Sequence, residues 1–406
     1  MGFFSNSIFK PKRSFALVLH LDVGRGNCRV ALISDDHDRE MVYTSLGTEK
    51  ISLGPHRRNL LVTVSSLRDV LDDVSKFIEL KVEEGKYFDI DKIYVILAAP
   101  YYLSHTANIK YKEEKSFTVT PELVASLLKD YRKGNDSPSE SHEDAKVGTI
   151  PKILTERIVA IKVNGYHTAT PYGKKANSIE VSVFRTETAP EVVSAVSREV
   201  GKHFSAPIYF EPLSLAIYVS LRDHVHFDKD FIFVVVGVEV TEVSLVRNFT
   251  LLETVSLPFG KHSLVRHLSR EISTPEEMVL SRISVYSQSE GLLSEKNEME
   301  NALLTGGKKW FPFFERALAS LSDVSTLPSS VYLVADSQAR EIFRKFIQTD
   351  SWSGQTIAPS GLLVTTVDAE LVKTLMKFGK EASCDTLLCL EGLFAVSTKL
   401  PVNISD

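Results

Sequence analysis

From Phe15 to Ile33 the chain reads FALVLHLDVGRGNCRVALI, two β-rich apolar runs around a tight turn at Gly24-Arg25-Gly26. That is the pattern of a β-hairpin. It returns from Asp230 to Thr254, DFIFVVVGVEVTEVSLVRNFTLLET: an apolar strand, Gly237, a second strand and a third run of alternating residues. With Gly24 laid on Gly237, Leu17–Val23 falls on Asp230–Val236, and Arg29–Leu32 falls on Glu242–Leu245. The repetition predicts two related halves, roughly two hundred residues apart.

Between the hairpins, a helical stretch over Ser65–Glu84 and a strand over Lys92–Ala99 predict a β-α-β crossover of a parallel sheet. The run KGNDSPSESHEDAK at Lys133–Lys146 reads as a loop within an insert. The insert continues with a strand at Glu156–Val163, the turn Asn164-Gly165, the polar stretch Pro171–Ser178, a strand at Ile179–Phe184 and a helix at Pro190–His203. In the second half, Thr274 caps a helix with Pro275 at its first position. A polar interruption over Ser287–Asn301 precedes an amphipathic helix around Trp310–Leu321, whose Trp310, Phe311, Phe313 and Phe314 read as core. Then follow a strand at Val331–Val334, a helix at Gln338–Ile347, a strand at Leu362–Thr365, a helix at Ala369–Phe378 and an apolar helix at Thr386–Ser397.

A length of 406 residues exceeds one ordinary core and predicts two or more packed lobes. The formal net charge of −5 leaves no field for gripping phosphate backbones, so nucleic acid is not an expected partner. Cys28, Cys384 and Cys389 are few, and the C-x4-C spacing of the last two lacks the second pair of a zinc site. No apolar run approaches bilayer length and no signal-peptide pattern opens the chain, so a cytoplasmic protein is expected. Phe3, Phe4, Ile8 and Phe9 ahead of Lys10, Lys12 and Arg13 offer a second route to the inner face of a membrane, a frayed tail being the plainer reading.

Two strand-turn-strand hairpins with glycine turns are what a fold needs to clamp a triphosphate from two sides, because bare backbone N–H groups can approach the anion. The sequence resembles the actin-like ATPase superfamily, and within it the FtsA and PilM group. LDVG at Leu21–Gly24 is similar to the first phosphate hairpin, and VVVGVEVTEV at Val234–Val243 to the second. ERIVAIKVNGYHTATPYGKKANSIEVSVF (Glu156–Phe184) followed by EPLSLAI (Glu211–Ile217) resembles the FtsA-type subdomain and its connecting helix. The resemblance implies an α/β fold of duplicated, ribonuclease H-like lobes with an inserted α+β subdomain. It divides the chain into an N-terminal tail (1–14), a first lobe (15–104 and 186–226), the insert (105–185), a second lobe (227–400) and a short tail (401–406).

Carried over residue by residue, the resemblance is uneven. Asp22 matches the aspartate that orders water around the metal and Gly24 matches its glycine, but Arg25 stands where a small hydroxyl residue donates to phosphate, next to Gly26. In the second hairpin Gly237 and Thr241 match, while Val235 replaces the aspartate and Val238 and Glu239 replace small residues. The Glu239 carboxylate would meet phosphate oxygens with like charge. Ala335 and Asp336 take the positions of the paired glycines beside the adenosine, and of the two ribose-contacting residues only a cation persists, as Arg282.

The resemblance therefore implies a nucleotide site that holds Mg-ATP weakly or not at all, and no expected turnover. The role ranked first is an FtsA-like scaffold that recruits cell-division proteins at the cytoplasmic face of the membrane. A PilM-like adaptor for type IV pilus assembly and an ATP-dependent polymerising ATPase, which would form a homo-polymer, stand as alternatives. Tyr172, Lys174 and Lys175 in the insert are the candidate partner-binding residues.

Overall fold

The computed structural model describes residues 14–23, 28–34, 39–47, 60–135, 151–168, 170–224, 228–287, 293–324, 327–348 and 361–397. The turn residues Gly24, Arg25 and Gly26 and the run Lys133–Lys146 from residue 136 onward lie outside the described residues.

The elements follow the order β1 (Ser14–Leu21), β2 (Cys28–Ser34), β3 (Glu40–Leu46), α1 (Leu60–Glu83), β4 (Asp89–Leu97), β5 (Tyr102–Thr118), α2 (Pro121–Asn135), β6 (Lys152–Val163), β7 (Tyr166–His167) and β8 (Lys175–Thr188). Next come α3 (Pro190–Val200), β9 (Ile208–Pro212), α4 (Leu213–His224), β10 (Phe231–Val236), β11 (Thr241–Arg247), β12 (Thr250–Leu257), α5 (Lys261–Glu271) and α6 (Glu276–Ser287). The chain closes with α7 (Leu293–Val324), β13 (Ser330–Ala335), α8 (Ser337–Ile347), β14 (Leu363–Val367), α9 (Ala369–Lys373), β15 (Lys377–Glu381) and α10 (Thr386–Ala395).

Two of the sheets repeat one plan. The first runs β15-β3-β2-β1-β4-β9 and the second β12-β11-β10-β13-β14. In each, a hairpin and a third strand pair antiparallel (β1/β2/β3; β10/β11/β12), while on its other side the first strand pairs parallel with a fourth, which pairs parallel with a fifth (β1/β4/β9; β10/β13/β14). The duplication expected from the two hairpins is thus present in five strands of each sheet, with β15 added to the first.

The continuous apolar run of β10 follows from burial on both faces. Phe231, Phe233 and Val235 join the core of the first sheet, while Ile232, Val234 and Val236 join that of the second. Helices α4 and α10 belong to the first core, which also takes in Tyr332 and Val334 of β13.

A third sheet, β5-β8-β6-β7, lies in sequence between β4 and β9. Val119, Val124 and Leu128, at and within the start of α2, cover its apolar face through Ile161, Val163, Ile179, Val181 and Val183. Its strands, with α2, fall within 102–188.

The C-terminal segment differs more. A helix was expected over Ala369–Phe378, but α9 ends at Lys373 and Lys377–Glu381 forms β15, with Phe378 opposite Met41 of β3. Gly379 lets the backbones close, since a Cβ there would sit 3.1 Å from the Val42 carbonyl oxygen. The second lobe was expected to run to residue 400, yet β15 extends the first sheet, and α10 packs in the first core through Leu388, Leu390 and Phe394. Edge pairing and helix burial, both long-range, override the local pattern. Likewise α7 begins at Leu293, inside the stretch expected as a polar interruption.

Candidate functional site

The residues that follow β1, Asp22 and Val23, meet the second hairpin's turn at the junction of the first and second sheets. Asp22 follows directly on β1 and is buried, and its Oδ2 accepts a hydrogen bond from the Val238 N–H at 3.0 Å. Its Oδ1 accepts from the Val23 N–H at 2.6 Å. Burial raises the Asp22 carboxyl above its ordinary range, partly countered by His20 and by these two N–H donors.

The second turn, Gly237–Val240, is closed from within. The Gly237 N–H donates to the Val240 carbonyl at 2.9 Å, and the carbonyls of Gly237 and Val238 accept from the N–H groups of Lys261 and His262 at 3.0 and 2.9 Å. Helix α5 thus directs its first two N–H groups at the turn itself. A Cβ on Gly237 would lie 2.8 Å from the Val240 oxygen and 3.2 Å from Asp22 Oδ2, which is why glycine is needed there.

Glu239, expected to repel phosphate, is held by α5. Arg266 donates through two nitrogens at 2.8 and 2.6 Å, and His262 Nδ1 lies 3.6 Å away. Burial would raise this carboxyl, but the Arg266 and His262 contacts outweigh it and bring it to about 2. The turn already carries its own anion, paired with the Arg266 guanidinium.

Thr241 is fully buried and its hydroxyl donates to the Phe259 carbonyl at 2.7 Å. Ala335 ends β13 opposite Val236, and Asp336 caps α8 by accepting from the Gln338 N–H at 2.9 Å. Lys261 Nζ reaches Asp336 Oδ2 at 3.5 Å. Arg282 lies on α6, partly exposed, with Glu298 at 3.5 Å. The structure therefore brings Asp22 and Gly237 together, with Thr241 just beyond; Ala335 pairs with the same strand, whereas Arg282 is engaged by Glu298.

Tyr172, Lys174 and Lys175 are exposed at the start of β8. The loop is pinned to the segment entering α2 by Gly173 N–H to Val119 O and Val119 N–H to Lys174 O, both 2.9 Å.

Several residues at this junction escaped the sequence reading. Glu242 of β11 is fully buried and crosses to the first sheet's side: Oε1 accepts from the Ala99 N–H at 2.8 Å and Oε2 from the Tyr102 hydroxyl at 2.6 Å. Tyr102 in turn lies 2.9 Å from the Ser214 hydroxyl at the start of α4. Burial raises the Glu242 carboxyl to about 7. On β1 itself, His20 Nδ1 meets Glu391 Oε1 of α10 at 2.6 Å, both buried. Burial alone would lower the His20 pKa, but the Glu391 charge and hydrogen bond outweigh it and raise it. The available signal was a lone acid in an apolar element, as in TLLCLEGLFA for Glu391.

No family model matches the sequence, and no curated protein matches it. Among solved structures, the chain is similar to one from a PilM–PilN type IV pilus biogenesis complex, at 12% identity and a TM-score of 0.57 over 94% of this chain and 96% of that one. The chain has the actin-like ATPase fold. More distant likenesses are to the ethanolamine utilization protein EutJ from Carboxydothermus hydrogenoformans (11% identity, 94% and 89% covered, TM-score 0.44). A protein of Bacteroides thetaiotaomicron, described as having an actin-like ATPase fold and unknown function, is matched at 9% identity, with 97% and 99% covered and a TM-score of 0.38. Among the described residues of the second turn and its neighbours, four polar groups are engaged within the chain. The Val238 N–H is taken by Asp22, the Gly237 N–H by Val240, the Thr241 hydroxyl by Phe259, and a carboxylate sits in the turn. Among the described residues, no helix is long and apolar enough to cross a membrane.

Proposed function

We propose that this chain is an adaptor: an actin-fold body that binds a segment of another protein and runs no nucleotide cycle. The observation that carries this reading is the Asp22–Val238 hydrogen bond, in which a side-chain carboxylate occupies a backbone donor that an actin-like site would offer to phosphate. Glu242, bridging to Ala99 and Tyr102, fastens the same junction a second time, which favours a rigid body over a hinged one.

The likeness to PilM, solved in a complex with PilN, supports a pilus-assembly partner at the cytoplasmic face of a membrane over the division partner that the sequence ranks first. The third sheet is read as the FtsA-type insert, with Tyr172, Lys174 and Lys175 on its exposed loop as part of the partner surface.

Calorimetric titration with Mg-ATP tests the reading. Binding weaker than about 100 µM supports an adaptor, and tighter binding overturns it. ATP-dependent pelleting would restore the polymerising ATPase. Pull-downs against cytoplasmic segments of pilus-assembly and division proteins decide between the partner classes.

A further inference from the structure

The C-x4-C pair that lacks a zinc partner has a place in the fold. Asp385 is the N-cap of α10, its side chain accepting from the Leu388 N–H at 2.9 Å. That sets Cys384 just before the cap and Cys389 at the fourth helical position. Side chains at these two positions meet across the start of a helix. Here their sulfurs lie 3.9 Å apart, and both cysteines are free. Cys389 is buried, whereas Cys384 is partly exposed and has the Ala369 carbonyl 3.8 Å from its sulfur. A disulfide needs about 2.0 Å between sulfurs, and rotation about the two Cα–Cβ bonds is the direct way to close the gap.

We propose that Cys384 and Cys389 are a thiol modification site that forms a reversible intramolecular disulfide under a peroxide oxidant. The Cys384 sulfur attacks one peroxide oxygen, the O–O bond breaks, and the products are Cys384 sulfenic acid and water. The Cys389 sulfur then displaces hydroxide from Cys384, forming the S–S bond and, with the Cys389 proton, a second water. Two thiols are oxidised by two electrons and one peroxide is reduced.

The bond would span the turn that holds Asp385, which pairs with Arg29 of β2 at 3.1 Å, and that leads to Glu391, paired with His20 of β1. Oxidation therefore pins the start of α10 where it touches the first hairpin. Burial raises both thiols, so reaction is slow at neutral pH and quickens as pH rises. Cys28 supplies an internal control: it is buried on β2, and its thiol donates to the Thr63 carbonyl at 3.4 Å.

The full chain is treated with hydrogen peroxide, alkylated under denaturing conditions and mapped by peptide mass spectrometry. A Cys384–Cys389 peptide lighter by two hydrogens and restored by dithiothreitol is expected, with Cys384 lost at least tenfold faster than Cys28. In Cys389→Ser the reaction stops at a Cys384 sulfenic acid that dimedone traps. Cys384 passing to sulfinic acid while Cys389 stays a thiol, disulfides only between chains, or no reaction ahead of Cys28 would each overturn the proposal. The wild-type measurement stands even where a serine variant folds poorly.

Discussion

The carboxylate of Asp22 is bound to the backbone N–H of Val238 across 216 positions of sequence. Asp22 directly follows β1 and Val238 lies in the turn after β10, so this single bond ties together corresponding places in two similar sheets. A carboxylate offers a backbone donor the same partner that a phosphate oxygen would, an anionic acceptor. The Val238 N–H is thereby satisfied from within the chain.

Replacing Asp22 distinguishes this role from metal handling. Asp22→Ala leaves the buried Val238 N–H unpaired and is expected to lose about 1–3 kcal/mol of stability. Asp22→Asn keeps an acceptor oxygen and should retain most of it. Urea unfolding compares the two, and equal losses would mean that the carboxylate's charge, rather than its hydrogen bond, matters.

Gly260, the N-cap of α5, tests how tightly the second turn is built. A Cβ there would lie 2.5 Å from the Val238 oxygen and 2.6 Å from that of Gly237, both backbone atoms that cannot swing aside. Gly260→Ala should lower stability by roughly 1–3 kcal/mol, the usual range for overpacking, read as a drop in the thermal unfolding midpoint.

Much of this fold was legible because periodicity survives tertiary packing. The runs FALVLHL and FIFVVV read as β-rich strands, and the matching hairpins predicted two related halves, which the sheets repeat. What sequence could not show is who pairs with whom across distance. Lys377–Glu381 reads as the end of a helix until β3 offers it an edge. Glu239 reads as a charge aimed at phosphate until Arg266, twenty-seven positions on, turns out to hold it. Glu242 reads from sequence only as a position in the second strand, although its carboxylate reaches Ala99 and Tyr102 on the first sheet's side. Local rules see the residue type, and the partner decides its work.

Glu239 also admits a gain-of-binding test. Glu239→Gln leaves Arg266 and His262 at the turn without their anion. If like charge is what keeps nucleotide out, Mg-ATP should bind the variant at least tenfold more tightly, about 1.4 kcal/mol, by calorimetry. Unchanged weak binding would assign the exclusion to the Asp22–Val238 closure instead.

The Glu242 bridge predicts a pH dependence whose sign can be worked out. Burial raises its carboxyl in the folded chain to about 7, against an ordinary value of 4.5. Between these values the folded chain keeps a proton that the unfolded chain has lost, so stability falls as pH rises through this window. The contribution is complete below 4.5 and gone above about 7. Glu242→Gln cannot ionise, yet its amide oxygen can still accept from Ala99 and its amino group can donate to the Tyr102 oxygen. The variant should match the parent near pH 4.5 and exceed it increasingly up to neutrality, by on the order of 3 kcal/mol at most. Urea midpoints of both proteins measured at half-unit steps of pH give the difference directly. Parallel profiles would show that Glu242 stays charged in the fold, with its two donors outweighing its burial.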